Sequence, residues 1–477
     1  MIIPPDQDTD VPLVWRTTDG GKTWSSIVNG LAHDERTGSW VNSLRVDPAQ
    51  PGLLFAGTET TVYVSFDNGD HWQSLRQNLP STSIRDIDVH VDHHQNDLVI
   101  GTYGRGFWVL DDITPLRQIA ASAQAISASA VYLFEPEEAI RARINSNWDQ
   151  PFSIEVPHVP NVQYGVIVDY YLSHEPRSPI QLQVFDEQGK LVRTMSSTLP
   201  APITGELFPR YWLAPPETRA LSTHAGLNRV NWNLQYDDPP ALRHDLEDEM
   251  NMVPGAATPG PHGPQVIPGV YTLKLTVDGQ VYTRNVTVVN DPRVGQSPEL
   301  MAALRSQSKL SLLSVQGMEQ SFKGHEEVSA VKDQLAALTK GNLPADAAAQ
   351  AKTLDANLTK IGGVIPAGGG FGGGPPRPTD PKALRSFMDL NNAYNTMVSM
   401  MQVGLDMAPT PTQIATWESD CNNLNGTTAA WKDMQQQIAD FNALLGKNRL
   451  QTLTLTPTTL TEASCTFAPE AGKKGKR

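Results

Sequence analysis

Two aspartates stand at the same place in two matching segments. Thr17-Thr18-Asp19-Gly20-Gly21-Lys22-Thr23-Trp24 and Ser65-Phe66-Asp67-Asn68-Gly69-Asp70-His71-Trp72 both read S/T-x-D-x-G-x-x-W, and Asp19 and Asp67 lie 48 residues apart. Two carboxyl groups could carry acid–base chemistry on a glycosidic bond, if the fold held them about 5–5.5 Å apart (retaining) or 6.5–9.5 Å apart (inverting). The neighbouring residues favour a different use. Asp-Gly-Gly and Asp-Asn-Gly are turn sequences that tolerate positive φ. An Asp side chain at such a turn accepts backbone N–H groups, and the Trp that follows folds back as an apolar lid. Asp19 and Asp67 are therefore read as hairpin staples, with Thr17, Gly21, Trp24, Ser65, Gly69 and Trp72 completing the same structural turns.

Other groups are weaker candidates. Glu59, Asp86, Asp88 and Asp111 are carboxylates that spacing alone does not rank, and turn or surface positions suit them better than catalysis. Arg105 sits between glycines in Tyr103-Gly104-Arg105-Gly106, where it is a candidate for facing a central channel, weighed against a structural role. His90, His93 and His94, with Asp92 and Asp97, suggest a metal. The segment reads as a strand running into a loop with no third fixed ligand, so solvated side chains are favoured. His244 to Glu249 offers oxygen ligands but lacks a Gly-centred calcium loop. The Gly-rich stretch 362–378, containing Ala367 to Pro375, lacks the preceding strand and the Gly-Lys-Ser/Thr ending of a phosphate loop, so it reads as a flexible connection. No G-x-S-x-G, H-E-x-x-H, Walker or dinucleotide motif occurs. No metal and no cofactor are expected. Cys421 and Cys465 are too few for a metal cluster. They could pair in an exported chain, although Cys421 also continues an apolar helical stripe (Ile414, Trp417, Cys421, Leu424) and reads by default as a buried thiol.

The bulk numbers narrow the partners. The chain has 477 residues, 18% of them charged, and a net charge of −14. That balance argues against a nucleic-acid groove or an anionic membrane surface, both of which want clustered Lys and Arg. The one basic cluster, Lys473, Lys474, Lys476 and Arg477, reads as a frayed end. No apolar run approaches the ~18 residues of a membrane span, and the polar Met1 to Asp10 segment does not read as a secretory signal. The length suggests roughly three domains.

The turns are embedded in a repeat. Val62, Val64 and Phe66 alternate with Tyr63, Ser65 and Asp67, the period of a strand. Val41 to Val46 aligns with Ile84 to Val89. A degenerate third copy places Gly101-Thr102 and Phe107 to Asp112 against Gly57-Thr58 and Val62 to Asp67. A period of ~45 residues built from several short strands is the pattern of a propeller blade. The two turns match the Asp-box, the bacterial neuraminidase repeat. With the run Gly101 to Pro115, the chain resembles the C-terminal part of bacterial sortilin-like, Asp-box β-propeller proteins often labelled glycosyl hydrolases. The resemblance implies a partial propeller of two to three blades over 1–115, followed by a sandwich and a helical region. It implies an extracytoplasmic (periplasmic or secreted) location. Because a ring needs more blades, it also implies that the chain is the C-terminal part of a longer protein, or that a partner chain or upstream segment supplies the rest. The function expected is non-catalytic binding or scaffolding on protein or glycan. The alternative is part of a glycoside hydrolase whose active site requires the missing blades.

Beyond the repeats, 116–128 reads as a linker. Residues 129–293 carry about seven short strands, among them 130–134, 166–172, 180–185, 191–195, 228–234, 270–277 and 281–289, which fit an immunoglobulin-like β-sandwich. Asp278-Gly279 marks a hairpin. Ser297-Pro298-Glu299 is a helix start. Residues 294–450 then show steps of three and four, as in Phe387, Leu390, Tyr394, Met397, Met401 and in Trp431, Met434, Ile438, Phe441, Leu445, which predict a helical bundle. Gly446 would cap its last helix, and the methionines 397, 400, 401 and 407 would fill its core. A tail, 451–477, follows. The fold expected is mainly β with an α-helical C-terminal region.

Overall fold

A computed structural model of the chain describes residues 11–32, 40–92, 95–143, 164–199, 220–244, 260–364, 383–403 and 405–470. It is a mixed structure of small β-sheets followed by long helices. The first part contains three antiparallel sheets in chain order. The first is β1 (Trp15–Arg16) with β2 (Ser25–Ser26). The second is β3 (Val41–Val46), β4 (Leu54–Thr58), β5 (Val62–Ser65) and β6 (Gln73–Ser74), each paired with the next. The third is β7 (Ile84–Val91), β8 (Asn96–Thr102) and β9 (Phe107–Leu110).

Strand alternation decides how these sheets pack, because successive side chains point to opposite faces. In the middle sheet both faces are apolar. Leu54, Ala56, Tyr63 and Trp72 share a core with Val14, Ile27 and Leu31 of the first repeat. Leu53, Phe55, Val62 and Val64 share another with Ile84, Ile87, Leu98 and Ile100 of the third sheet. The sheets are thus stacked face to face, and each fully buried Val, Leu, Ile or Phe contributes roughly 1.5–3 kcal/mol. Gly57 makes the second contact close: a Cβ there would lie 2.5 Å from Cγ2 of Ile84. The stretch that reads as a linker is a helix, α1 (Thr114–Ser127), interrupted by non-helical backbone at Ser122. Leu116 and Ile113 close the second core.

Two further sheets enclose one core. β10 (Val131–Leu133), β12 (Val166–Leu172) and β15 (Gly226–Trp232) form one sheet. β11 (Ala139–Arg141), β13 (Gln181–Phe185), β14 (Leu191–Ser196), β16 (Gly269–Val277) and β17 (Gln280–Asn290) form the other, in the order β11-β17-β16-β13-β14. Val168, Tyr170 and Trp232 from the first meet Leu182, Val184, Leu273 and Leu275 from the second. The Asp278-Gly279 turn has positive φ at both residues, 47° and 80°, which matches the right-handed strand twist.

Four helices share the last core: α2 (Pro298–Thr339), α3 (Ala345–Gly362), α4 (Phe387–Val403) and α5 (Pro411–Lys447). Ser297 caps α2 by accepting from Leu300 N at 3.2 Å, and Thr410 and Gln413 form a capping box on α5. Gly317 lets the Tyr394 ring lie on α2, since a Cβ there would sit 2.5 Å from it. Gly446 does not end the last helix: α5 continues to Lys447, and Asn448 is its C-cap. Met397 and Met401 are buried, but Met400 and Met407 are exposed, so only half of the methionine stripe fills the core. The tail through residue 470 has no regular structure, yet Leu453, Leu460 and Phe467 are buried against the helices. A disulfide joins Cys421 to Cys465, so Cys421 is buried without being a free thiol. The Gly-rich stretch from 365, the segment 245–249, His93, His94 and the basic tail lie outside the described residues. Among the described residues, no helix is long and apolar enough to cross a membrane.

Candidate functional site

The two S/T-x-D-x-G-x-x-W turns have nearly the same internal wiring. In the first, Asp19 Oδ1 accepts from the backbone N–H groups of Lys22 and Thr23, both at 2.9 Å, and Oδ2 accepts from the Thr23 hydroxyl at 2.7 Å. Thr17 Oγ1 donates to Asp19 at 2.9 Å and accepts from Gly21 N at 2.8 Å. In the second, Asp67 Oδ1 accepts from His71 N at 2.8 Å, and Ser65 Oγ donates to Asp67 and accepts from Gly69 N, each at 2.8 Å. The His71 ring lies 2.6 Å from Asp67 Oδ2, replacing the threonine hydroxyl of the first turn.

These bonds favour the charged carboxylate. The backbone bond from Thr23, with the Thr23 hydroxyl, lowers the Asp19 pKa to about 2. Burial pushes Asp67 up, but the bonds from His71 and Ser65 outweigh it, and the group titrates below its ordinary value. A carboxylate held in this way is a poor proton donor near neutral pH.

The tryptophans differ. Trp24 donates back to Gly21 O within its own turn, at 3.1 Å, and is 42% exposed. Trp72 is 5% exposed and donates to Ile27 O of the first repeat at 2.8 Å, while its backbone N–H donates to Asn29 O. Arg16 adds a bond to Asn68 O at 2.6 Å and an ion pair with Asp70 at 2.7 Å. The second turn is therefore a clasp between repeats. The degenerate third copy keeps part of the wiring: Thr102 Oγ1 accepts from Arg105 N at 3.1 Å, and Trp108 Nε1 donates to Arg105 O at 3.1 Å. Arg105 lies in this turn, between β8 and β9, with its side chain exposed.

Two of the remaining carboxylates, Glu59 and Asp86, are drawn into contacts between sheets. Glu59 accepts from Trp40 Nε1 at 2.9 Å and Asn42 Nδ2 at 2.8 Å, with Arg85 at 3.3 Å. Burial raises its pKa, the bonds and Arg85 outweigh that, and the net shift is downward. Asp86 pairs with Arg45 and accepts from the Ser43 hydroxyl at 3.2 Å, which ties β7 to β3. Asp88 is exposed on β7. Asp111 is raised, first by burial and then by Asp97. His90 lies 3.7 Å from Asp92, and His244 Nδ1 lies 2.9 Å from Gly260 O. Among the described residues, no group of three or more His, Cys, Asp or Glu side chains could hold a metal ion.

One group has no counterpart among the residues singled out from the sequence. Glu137, just before β11, accepts from Asn96 Nδ2 of β8, whose amide oxygen accepts from Arg117 of α1 at 2.5 Å; Arg117 also pairs with the buried Asp47 at 3.0 Å. Burial, with Asp112 and Asp97 nearby, raises the Glu137 pKa to about 7. The network fastens α1 and the third sheet together. Its members are 41, 21 and 70 residues apart, so no local spacing announces it.

The third sheet also presents a bare face. Cross-strand pairing sets Asp86, Gly101 and Phe107 side by side, and Asp88, Val99 and Val109 beside them. Phe107 is 83% exposed and Val109 53% exposed. The described residues thus offer hydrogen-bonded turns, sheet-to-sheet clasps and exposed apolar side chains on the third sheet. No family model, curated protein or solved structure matches this chain.

Proposed function

We propose that this chain is a non-catalytic binding and scaffold module whose repeats are those of an Asp-box propeller, working outside the cytoplasm on protein or glycan. The reading rests chiefly on the commitment of Asp19 and Asp67 to donors within their own turns, which leaves these carboxylates as fasteners. Two further observations support it. The sheet stack has the repeat-by-repeat packing that an immobile scaffold needs, and its clasps, such as Trp72 on Ile27 O, join successive repeats. The Cys421–Cys465 disulfide suits an oxidising compartment. The two sheets around one core, and the helices after them, accord with the sandwich and bundle of the same resemblance.

The test is to assay the purified full chain on sialosides and polysaccharides, and in parallel to measure its binding to a glycan array and to candidate proteins. Binding without turnover is expected. Hydrolysis that is lost on replacing Glu59, Asp88, Asp111 or Glu137 by the amide would overturn the reading in favour of a glycosidase.

A further inference from the structure

Residues 451–470 have no regular structure, yet the helices hold their backbone as a groove holds a peptide. The segment lies between α2 and α5, and its contacts run backwards along both. On α5, Leu453 meets Asn442 and Phe467 meets Glu418; on α2, Thr454 meets Gln334 and Glu470 meets Ser306. It is therefore antiparallel to both helices.

Three side-chain amides form complete rungs with its peptide groups. Asn442 Nδ2 donates to Leu453 O and its Oδ1 accepts from Leu453 N, both at 2.8 Å. Gln334 does the same with Thr454, at 3.1 and 2.7 Å, and Asn425 with Ala463, at 2.9 and 3.0 Å. Each amide offers both donors and an acceptor, so it stands in for a missing strand neighbour. Leu453, Leu460 and Phe467 recur every seven residues and are buried against the helices. Main-chain bonds that give affinity, with spaced side-chain pockets that give selectivity, are the pattern of peptide recognition. None of these contacts requires the segment to belong to the same molecule.

The connection into the groove is short and strained. Arg449, two residues past the end of α5, has φ 54°, in the left-handed region that helix ends usually give to glycine. Leu450 N, donating to Leu445 O at 2.9 Å, closes this turn, while Asn448 and Arg449 are exposed. A straightened connection does not carry that strain. Short strained hinges favour the exchange of an element between identical chains.

We infer that segment 451–470 exchanges between two copies of this chain, each laying it in the α2–α5 groove of the other, to form a reciprocal dimer. Cys465 of each copy then meets Cys421 of the other, and the disulfide closes between chains. The inference concerns the helical region and does not depend on the ligand proposed above.

The test mixes equal amounts of ordinary and isotopically heavy full chain, unfolds and reduces them, and refolds them together with oxidised glutathione. In that step the Cys421 and Cys465 thiols become one S–S bond, and the glutathione disulfide is reduced to two glutathione thiols. Mass spectrometry of the non-reduced digest then reads the Cys421–Cys465 peptide pair. Mixed-isotope pairs form only between copies. Their share should rise in proportion to chain concentration while the dimer is the minor species. They should come from a dimer that persists when reduced under native conditions, because the rungs and anchors still hold it. Arg449→Gly relieves the hinge in the single chain and should lower the mixed share about fivefold. Same-isotope pairs alone overturn the inference. So does a dimer that falls apart at once on reduction, or a mixed share that Arg449→Gly leaves unchanged or raises. Should the chain not refold, two full-length copies, one Cys421→Ser and the other Cys465→Ser, are co-expressed with export to an oxidising compartment. The Cys421–Cys465 bond can then form only between copies, and its absence from the folded protein overturns the inference as well.

Discussion

The helical region and the sheet stack bury their apolar residues in different ways. In the helical region, four helices and the tail converge on one core, so Trp431, Phe387, Leu390 and Phe441 are each fully buried among neighbours from several elements. The stack has no common centre. Its apolar residues are divided between two cores, each lying between one sheet and the next. A core of the first kind is complete once the helices meet. A stack of the second kind can always take another layer, and its last layer carries Phe107 and Val109 into solvent.

The comparison predicts the largest single effect in the helical region. Trp431 is 0% exposed, and its indole N–H donates to Glu327 at 2.7 Å. Trp431→Ala should cost about 3–5 kcal/mol, because it removes a large ring and leaves a cavity no single neighbour can fill. Urea unfolding followed by helical circular dichroism measures it. A loss under 1 kcal/mol would mean that the helices do not share one core.

The next effect comes from the disulfide. It closes a separation of 44 residues and holds a tail whose Leu453, Leu460 and Phe467 are buried. Asn425 secures the same tail with two bonds to Ala463, at 2.9 and 3.0 Å. Replacing both cysteines by serine should lower stability by about 2–4 kcal/mol. The tail should also become the first site of limited proteolysis. A tail still resistant in the double variant would show that packing alone holds it.

A matched pair of substitutions tests the open end of the stack directly. Val64→Ala should cost about 2 kcal/mol, while Val109→Ala, at the aligned position of the next sheet, should stay within about 0.5 kcal/mol. Equal losses would show that the face of the third sheet is covered in the isolated chain.

Legibility in the sequence followed the range of the interaction. The strand 166–172 is read with its observed bounds, because Val166, Val168 and Tyr170 alternate within a few residues. Ser297 and Pro298 mark the start of α2 for the same local reason. The bonds inside the S/T-x-D-x-G-x-x-W turns are equally local: Asp19 and Asp67 accept from backbone N–H groups of their own turns, whereas Trp24 stays largely exposed and Trp72 reaches into the first repeat. By contrast, α1 is rich in Ala and Ser, breaks at Ser122, and has only scattered apolar residues, so it reads as a linker. Arg141 and Arg143 both pair with Asp406, more than 260 residues away, and fasten the five-stranded sheet to the segment after α4. The tail lies flat on the helices without a periodicity of its own. None of these leaves a mark at short spacing.

The Glu137 network is another such long-range feature, and it gives the smallest and most specific prediction. Glu137 titrates near 4.5 when unfolded and at about 7 when folded, mainly through burial. Between those values the unfolded chain has released the proton and the folded chain still holds it. Stability therefore falls as pH rises from about 4.5 towards 7, because the folded state binds more protons there. Glu137→Gln keeps the shape and the acceptor for Asn96 but cannot ionise. It should match the parent near pH 4.5 and melt higher than the parent at pH 7.5, by a margin reduced by the partial exposure of the group. Asn96 and Arg117 belong to the stack and α1, whereas Glu137 leads into the sandwiching sheets. A pH-independent difference between the two proteins would mean that Glu137 is ionised in the fold, and that the stack is joined to the following sheets by a charged carboxylate instead of by a neutral carboxyl accepting from Asn96.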